Sequence, residues 1–236
     1  MNFRKIRAVF WKQIKDTLKN KAVLIQFLMF PLLGIIMEMS MTIEGLADNY
    51  FVLLFATMYI GMAPLSSVAA IISEEKESNT LRVLIMSNVK ASDYLIGVGS
   101  YVVGACMIGA LIFGLTGGYA GSRLVIFVLI MTVGIILSTL LGSVIGVASK
   151  SQMAATSFVV PVMLLFSFLP MISMFNEPIA KVSKFTYTQQ INILLSQVNQ
   201  FSMNNEALII IGVNMVVFVT LFSYVYGRGR FNSKSV

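Results

Sequence analysis

Apolar runs occupy most of the chain, and polar residues are confined to a few short stretches between them. Crossing a bilayer as a helix takes about 20 predominantly apolar residues. The pattern predicts six such runs, at about 22–43, 50–72, 94–118, 124–149, 153–175 and 207–227. Five of them carry no charged residue, and the first carries one, Glu38. Pro31, Pro64, Pro161 and Pro170 fall inside runs one, two and five, each removing a helical hydrogen bond that a neighbouring group must replace. The expected fold is an all-α integral membrane protein with one transmembrane domain over residues 1–236.

The polar stretches divide into three kinds. Residues 1–21 hold seven bases against a single acid, Asp16. There Phe3, Ile6, Phe10, Ile14 and Leu18 recur at spacings of three and four, with Trp11 beside them, which predicts an amphipathic helix lying in the membrane surface. The run that follows is too long for a signal peptide and has no small-residue cleavage site.

Residues 73–93, SEEKESNTLRVLIMSNVKASD, interrupt the apolar pattern between runs two and three. Their charges and the helical spacing of Leu81, Leu84 and Ile85 predict a short half-apolar helix, about three turns long, on which a soluble partner could push. Residues 176–206 are rich in amides but have an apolar face of Ile191, Leu194, Leu195 and Val198. They are too polar to cross a membrane, so a re-entrant or surface-lying helical segment is expected.

Two runs carry small residues at every fourth position: Ala110, Gly114 and Gly118 in the third, and Gly134, Ser138, Gly142 and Gly146 in the fourth. Such stripes let helix backbones approach closely where no hydrophobic effect drives association. Packing within one chain is the expected use.

Composition narrows the function. Hydrophobic side chains make up 57% of the 236 residues and charged ones 11%, against about 25% charged in soluble domains. A net charge of +7 is compatible with a nucleic-acid binder, but the bases sort by loop instead. With the N-terminus in the cytoplasm, fourteen of the seventeen Lys and Arg residues lie inside, and only Arg123, Lys181 and Lys184 lie outside. That is the positive-inside bias of a plasma-membrane protein with both termini cytoplasmic, and nucleic acid is not an expected partner. The chain has no histidine and one cysteine, Cys106, which argues against histidine-based catalysis, proton relays and metal sites and against an internal disulfide. It also lacks a G-x-x-x-x-G-K-[ST] phosphate loop. No metal site, no cofactor on this chain and no enzymatic activity of its own are expected.

A candidate substrate path can be drawn from Glu38, Met37, Met62, Pro64, Pro161 and Met163. An acid inside a span points to function by default, although Glu38 is near enough to the outer end to snorkel. Methionines suit surfaces that accept varied apolar ligands, and equally suit plain packing.

The run I-I-S-E-E-K-E-S-N-T-L-R-V-L-I-M-S-N-V, with a basic helix before it and six spans around it, resembles the membrane subunit of a type-2 ATP-binding cassette (ABC) transporter of the bacterial exporter kind. Ile72, Glu75, Lys76, Thr80, Leu81, Leu84, Val89, Tyr94, Leu95 and Gly97 match that family's pattern. Asn79 stands where the family has glycine, a mild change because asparagine tolerates the left-handed conformation. Asn88 stands where it has proline, which predicts a less firmly stopped helix end.

The resemblance implies that residues 73–90 form a coupling helix seated on an ATPase subunit, through Glu74, Glu75, Lys76, Glu77, Thr80, Leu81, Arg82, Leu84 and Ile85. It implies two ATPase copies, which bind the ATP and magnesium, and a second permease subunit, identical or related. Spans one, two and five would line the path, with a gate between spans five and six. The expected role is efflux of a hydrophobic or amphipathic substrate, such as a drug or membrane-active peptide. The alternative is a secondary carrier or channel working without ATP.

Overall fold

The computed structural model describes residues 2–19, 21–41, 49–200 and 205–227. Among them the chain forms ten α-helices and one short 3-10 turn, Val198–Gln200. The helices are α1 Phe3–Lys19, α2 Lys21–Ser40, α3 Tyr50–Glu77, α4 Thr80–Met86, α5 Ala91–Thr116, α6 Ser122–Ala148, α7 Gln152–Ser173, α8 Glu177–Ser183, α9 Tyr187–Ser196 and α10 Asn205–Gly227. Five of these, α3, α5, α6, α7 and α10, are long and apolar enough to cross a membrane. In α2 the apolar stretch among the described residues is the shorter Phe27–Ser40. Among the described residues the chain is all-helical, and its five long apolar helices have the length and composition of a multi-pass membrane protein. The basic residues of the C-terminal tail and most of the connection between α2 and α3 lie outside the described residues.

Helix α3 is the axis of the bundle, packing against α2, α5, α6, α7 and α9. Val52, Ala56, Tyr59, Ile60, Leu65, Val68, Ala69 and Ile72 are all buried along it. The every-fourth stripe of α6 faces α3 closely. A Cβ added to Gly142 would lie 2.3 Å from the Leu65 carbonyl oxygen, and one on Gly134 2.8 Å from the Ile60 side chain. The expected packing within one chain is therefore what this stripe does. The α5 stripe behaves differently at its end. Ala110 and Gly114 are buried, but Gly118 lies beyond the helix with φ +69°, where Gly118 and Tyr119 N–H groups close the end of α5 on Leu115 and Gly114. It is a capping glycine, not a packing one.

The amide-rich segment is drawn into the bundle. Tyr187, Thr188, Gln190, Ile191, Leu194 and Leu195 of α9 are buried, and Tyr187 meets Ser138 in the middle of α6, Phe166 of α7 and Phe218 of α10. Asn192 Nδ2 donates to Thr57 Oγ1 on α3 at 3.0 Å, and Thr186 caps the start of α9. Here Asn214 in α10 donates to the Phe185 carbonyl, and Lys184 pairs with Glu206.

Helix α1 departs from its expected facing. Ile6, Val9, Gln13 and Thr17 form its buried side, Val9 against Gly97 and Thr17 bonded to Tyr101 of α5. Phe10 and Ile14 are half-buried, whereas Phe3 and Leu18 of the predicted apolar stripe are exposed. The buried side is displaced from the hydrophobic stripe because buried carboxylates on α3 and α5 give polar α1 groups partners. Asp93 accepts from the Asn2 N–H, and Glu75 from Gln13.

Candidate functional site

The predicted three-turn helix over 73–90 is broken into two elements. Residues 73–77 continue α3, and α4 is a separate two-turn helix. The break falls at Asn79, whose φ of +57° is left-handed. Asparagine is among the few non-glycine residues that adopt this conformation readily, so the residue in the glycine place does the glycine's task. Asn88, at φ +62°, repeats the device at the other end of α4. Its N–H bonds the Ile85 carbonyl and that of Val89 bonds Leu84, the Schellman closure. The helix end is thus firmly stopped without a proline, contrary to expectation.

The charged residues before the break turn toward the chain itself. Glu75 is 6% exposed, and its carboxylate accepts from Lys12 Nζ at 2.6 Å and from Gln13 Nε2, both on α1. Lys12 also pairs with Asp16 at 3.2 Å. Burial alone would lower the Lys12 pKa, but the Glu75 and Asp16 carboxylates outweigh it and hold it above the ordinary 10.5. Lys76 Nζ donates to the Val147 carbonyl at 2.7 Å and to that of Ser149, at the C-terminal end of α6. Glu77 accepts from the Gln152 N–H at 2.7 Å, at the N-terminal end of α7. Cation and anion thus each sit at the helix end whose dipole they complement. Three consecutive side chains fasten α3 to α1, α6 and α7. Glu74 is exposed.

On α4, Leu81 is buried, Leu84 and Ile85 are half-buried against the core, and Thr80 lies 2.9 Å from the Ser78 hydroxyl. The outward side is Arg82, Val83 and Met86, the last two 61% and 77% exposed. Reasoning from the sequence assigned the apolar triplet correctly to one face but missed Val83 and Met86. Their i, i+3 spacing within VLIM was the available signal.

The candidate path residues do not gather in one place. Glu38 Oε2 accepts from the Val52 N–H at 3.1 Å, in the first turn of α3, where the helix has unpaired donors. Met37 is half-buried beside it in α2. Pro64 is buried, and Met62 packs on the main core. Met163 joins a small cluster with Leu65, Ala69 and Val159. Pro161 lines an open groove of about 780 Å³ with Glu77, Gln152, Thr156 and Ser157, on the N-terminal half of α7. No group of acids and thiols among the described residues could hold a metal ion. No family model matches the chain, and no curated protein aligns significantly with it.

Proposed function

We propose that this chain is the permease subunit of an ATP-driven exporter of the type-2 ABC kind, with α4 as the element on which a separate ATPase subunit bears. One observation carries the reading. A two-turn helix with an outward Arg82, Val83 and Met86 follows directly on three side chains that tie α3 to α1, α6 and α7. Displacing α4 would pull on all of these helices at once, because charge-assisted contacts in a packed bundle move together rather than stretch. A solvated loop would need neither the two left-handed asparagines nor the buried Glu75.

In this reading the docking residues are Arg82, Val83 and Met86, with Glu74 at the rim. Leu81, Leu84 and Ile85 seat α4 on the bundle, and Glu75, Lys76 and Glu77 transmit its motion. The sixth span is α2, both termini are cytoplasmic, and a second permease copy or relative covers the exposed apolar sides of α2 and α7. An amphipathic or hydrophobic substrate suits the apolar, weakly charged interior.

The test compares Met86→Asp with Glu74→Ala at matched membrane levels, scoring co-purification of an ATPase encoded beside this chain and export of a lipophilic cation. Met86→Asp should lose both by about tenfold or more, since each buried apolar contact contributes about 1.5–3 kcal/mol, and Glu74→Ala neither. Full export by Met86→Asp, or export by this chain alone without nucleotide, would replace the proposal with a carrier or channel.

A further inference from the structure

Helix α1 has a second, outward stripe. Arg4, Arg7, Trp11, Lys15 and Leu18 recur at spacings of three and four, and all five are exposed. Among the described residues Arg4, Arg7 and Lys15 take part in no salt bridge, whereas Lys12, on the inner side, is paired twice. Leu18 also borders an apolar groove of about 380 Å³ that runs between three helices, lined by Ile14 and Leu18 of α1, Leu24 and Leu28 of α2, and Gly104 and Ile108 of α5. Cations, an indole and an apolar channel are therefore continuous along one side of the molecule.

We propose that this is a binding site for one anionic phospholipid of the membrane leaflet in which α1 lies. Its phosphate would sit at Arg7 and Lys15, its glycerol region beside Trp11, and one acyl chain in the groove. The chemistry fits each part. Guanidinium and ammonium groups bind phosphate by charge-assisted hydrogen bonds, an indole favours the headgroup level, and a groove that is apolar except for Thr17 and Tyr101, whose hydroxyls bond each other, suits an acyl chain. A soluble phosphate would leave the groove unused. The inference rests on the chain's membrane character and not on the identity of its partner ATPase.

Trp11 is the sole tryptophan, so its fluorescence reports this site directly. The full chain is reconstituted in vesicles of phosphatidylcholine containing brominated phosphatidylglycerol or, separately, brominated phosphatidylcholine. Wild type should be quenched preferentially by the anionic lipid, with a relative association constant higher by about fivefold for each contributing cation. Arg7→Gln with Lys15→Gln should bring the two lipids to parity. Gly104→Leu fills the groove, and because a Cβ there meets only Phe10, at 3.9 Å, the bundle need not shift. It should weaken quenching by the anionic lipid while thermal unfolding stays unchanged. Equal quenching of wild type by both lipids, or preference surviving the double substitution, would overturn the site. Absence of quenching by either lipid would overturn it by placing α1 away from the bilayer.

Discussion

Ser138 on α6 donates its hydroxyl to the carbonyl oxygen of Ile60 on α3, at 2.6 Å. That carbonyl lacks its usual helical donor because residue 64, four positions on, is proline and has no N–H. Since the serine hydroxyl has one hydrogen, the Tyr187 hydroxyl 2.6 Å away donates in turn to Ser138. A single chain of bonds thus connects Ile60 in α3, Ser138 in the small-residue stripe of α6 and Tyr187 at the start of α9, all out of contact with solvent. Ser138→Ala should destabilise the fold by about 1–3 kcal/mol, the cost of an unsatisfied buried acceptor. Pro64→Ala restores the backbone donor, so the serine substitution should cost markedly less in that background. Thermal unfolding of the four variants in detergent checks this. Strictly additive costs would show that the proline and the serine are independent.

The α3–α6 contact predicts a sharp contrast between two glycines. Gly142→Ala should cost about 1–3 kcal/mol, because the new methyl cannot coexist with the Leu65 carbonyl and the helices must separate. Gly212→Ala in α10, with nothing within 4 Å of the added carbon, should leave the unfolding temperature unchanged or raise it. Paired melts in one detergent decide the matter.

Docking of α1 depends on Glu75. Glu75→Ala leaves Lys12 and Gln13 without this acceptor and should loosen α1 by about 1–3 kcal/mol, whereas Glu74→Ala should be silent. Hydrogen exchange of α1 amides is the measurement. The pH dependence follows from Lys12. Its folded pKa is raised above 10.5, so its contribution is fully present below that value and is lost only as pH rises through the folded pKa. On the Lys12 side, protection of α1 should stay flat from neutral pH up to about 10 and then fall. Early loss in mildly alkaline buffer would show that this ion pair does not hold the helix.

Glu38 caps α3 from the end of α2, so acceptor strength and charge should be separable. Glu38→Ala should cost about 0.5–2 kcal/mol, as at other helix caps, while Glu38→Gln retains an acceptor and should cost a few tenths. If export of cationic compounds falls with Glu38→Gln at unchanged stability, the carboxylate also meets substrate. Equal losses for neutral and cationic compounds would assign it to the helix end alone.

The sequence by itself determined the membrane character, the long apolar helices and the use of the α6 stripe. These depend on period and length, which hydrocarbon enforces locally: a span must be apolar for about 20 residues, and small residues at every fourth position within a span allow close approach, as at Gly134 and Gly142. It also made the asparagine at 79 a mild change, because tolerance of the left-handed conformation is a single-residue property, but it ran one helix through the break that falls there. What the tertiary structure alone decided is where charges go. Glu75 and Glu74 are neighbours of identical chemistry, yet one is buried against Lys12 and the other faces solvent. Gln13 and Thr17 lie on the buried side of α1 while Leu18 lies outside. In each case the partner stands 60 or more positions away in the chain. A hydrogen bond of that span cannot be read from a helical period, which records only what lies within a turn or two.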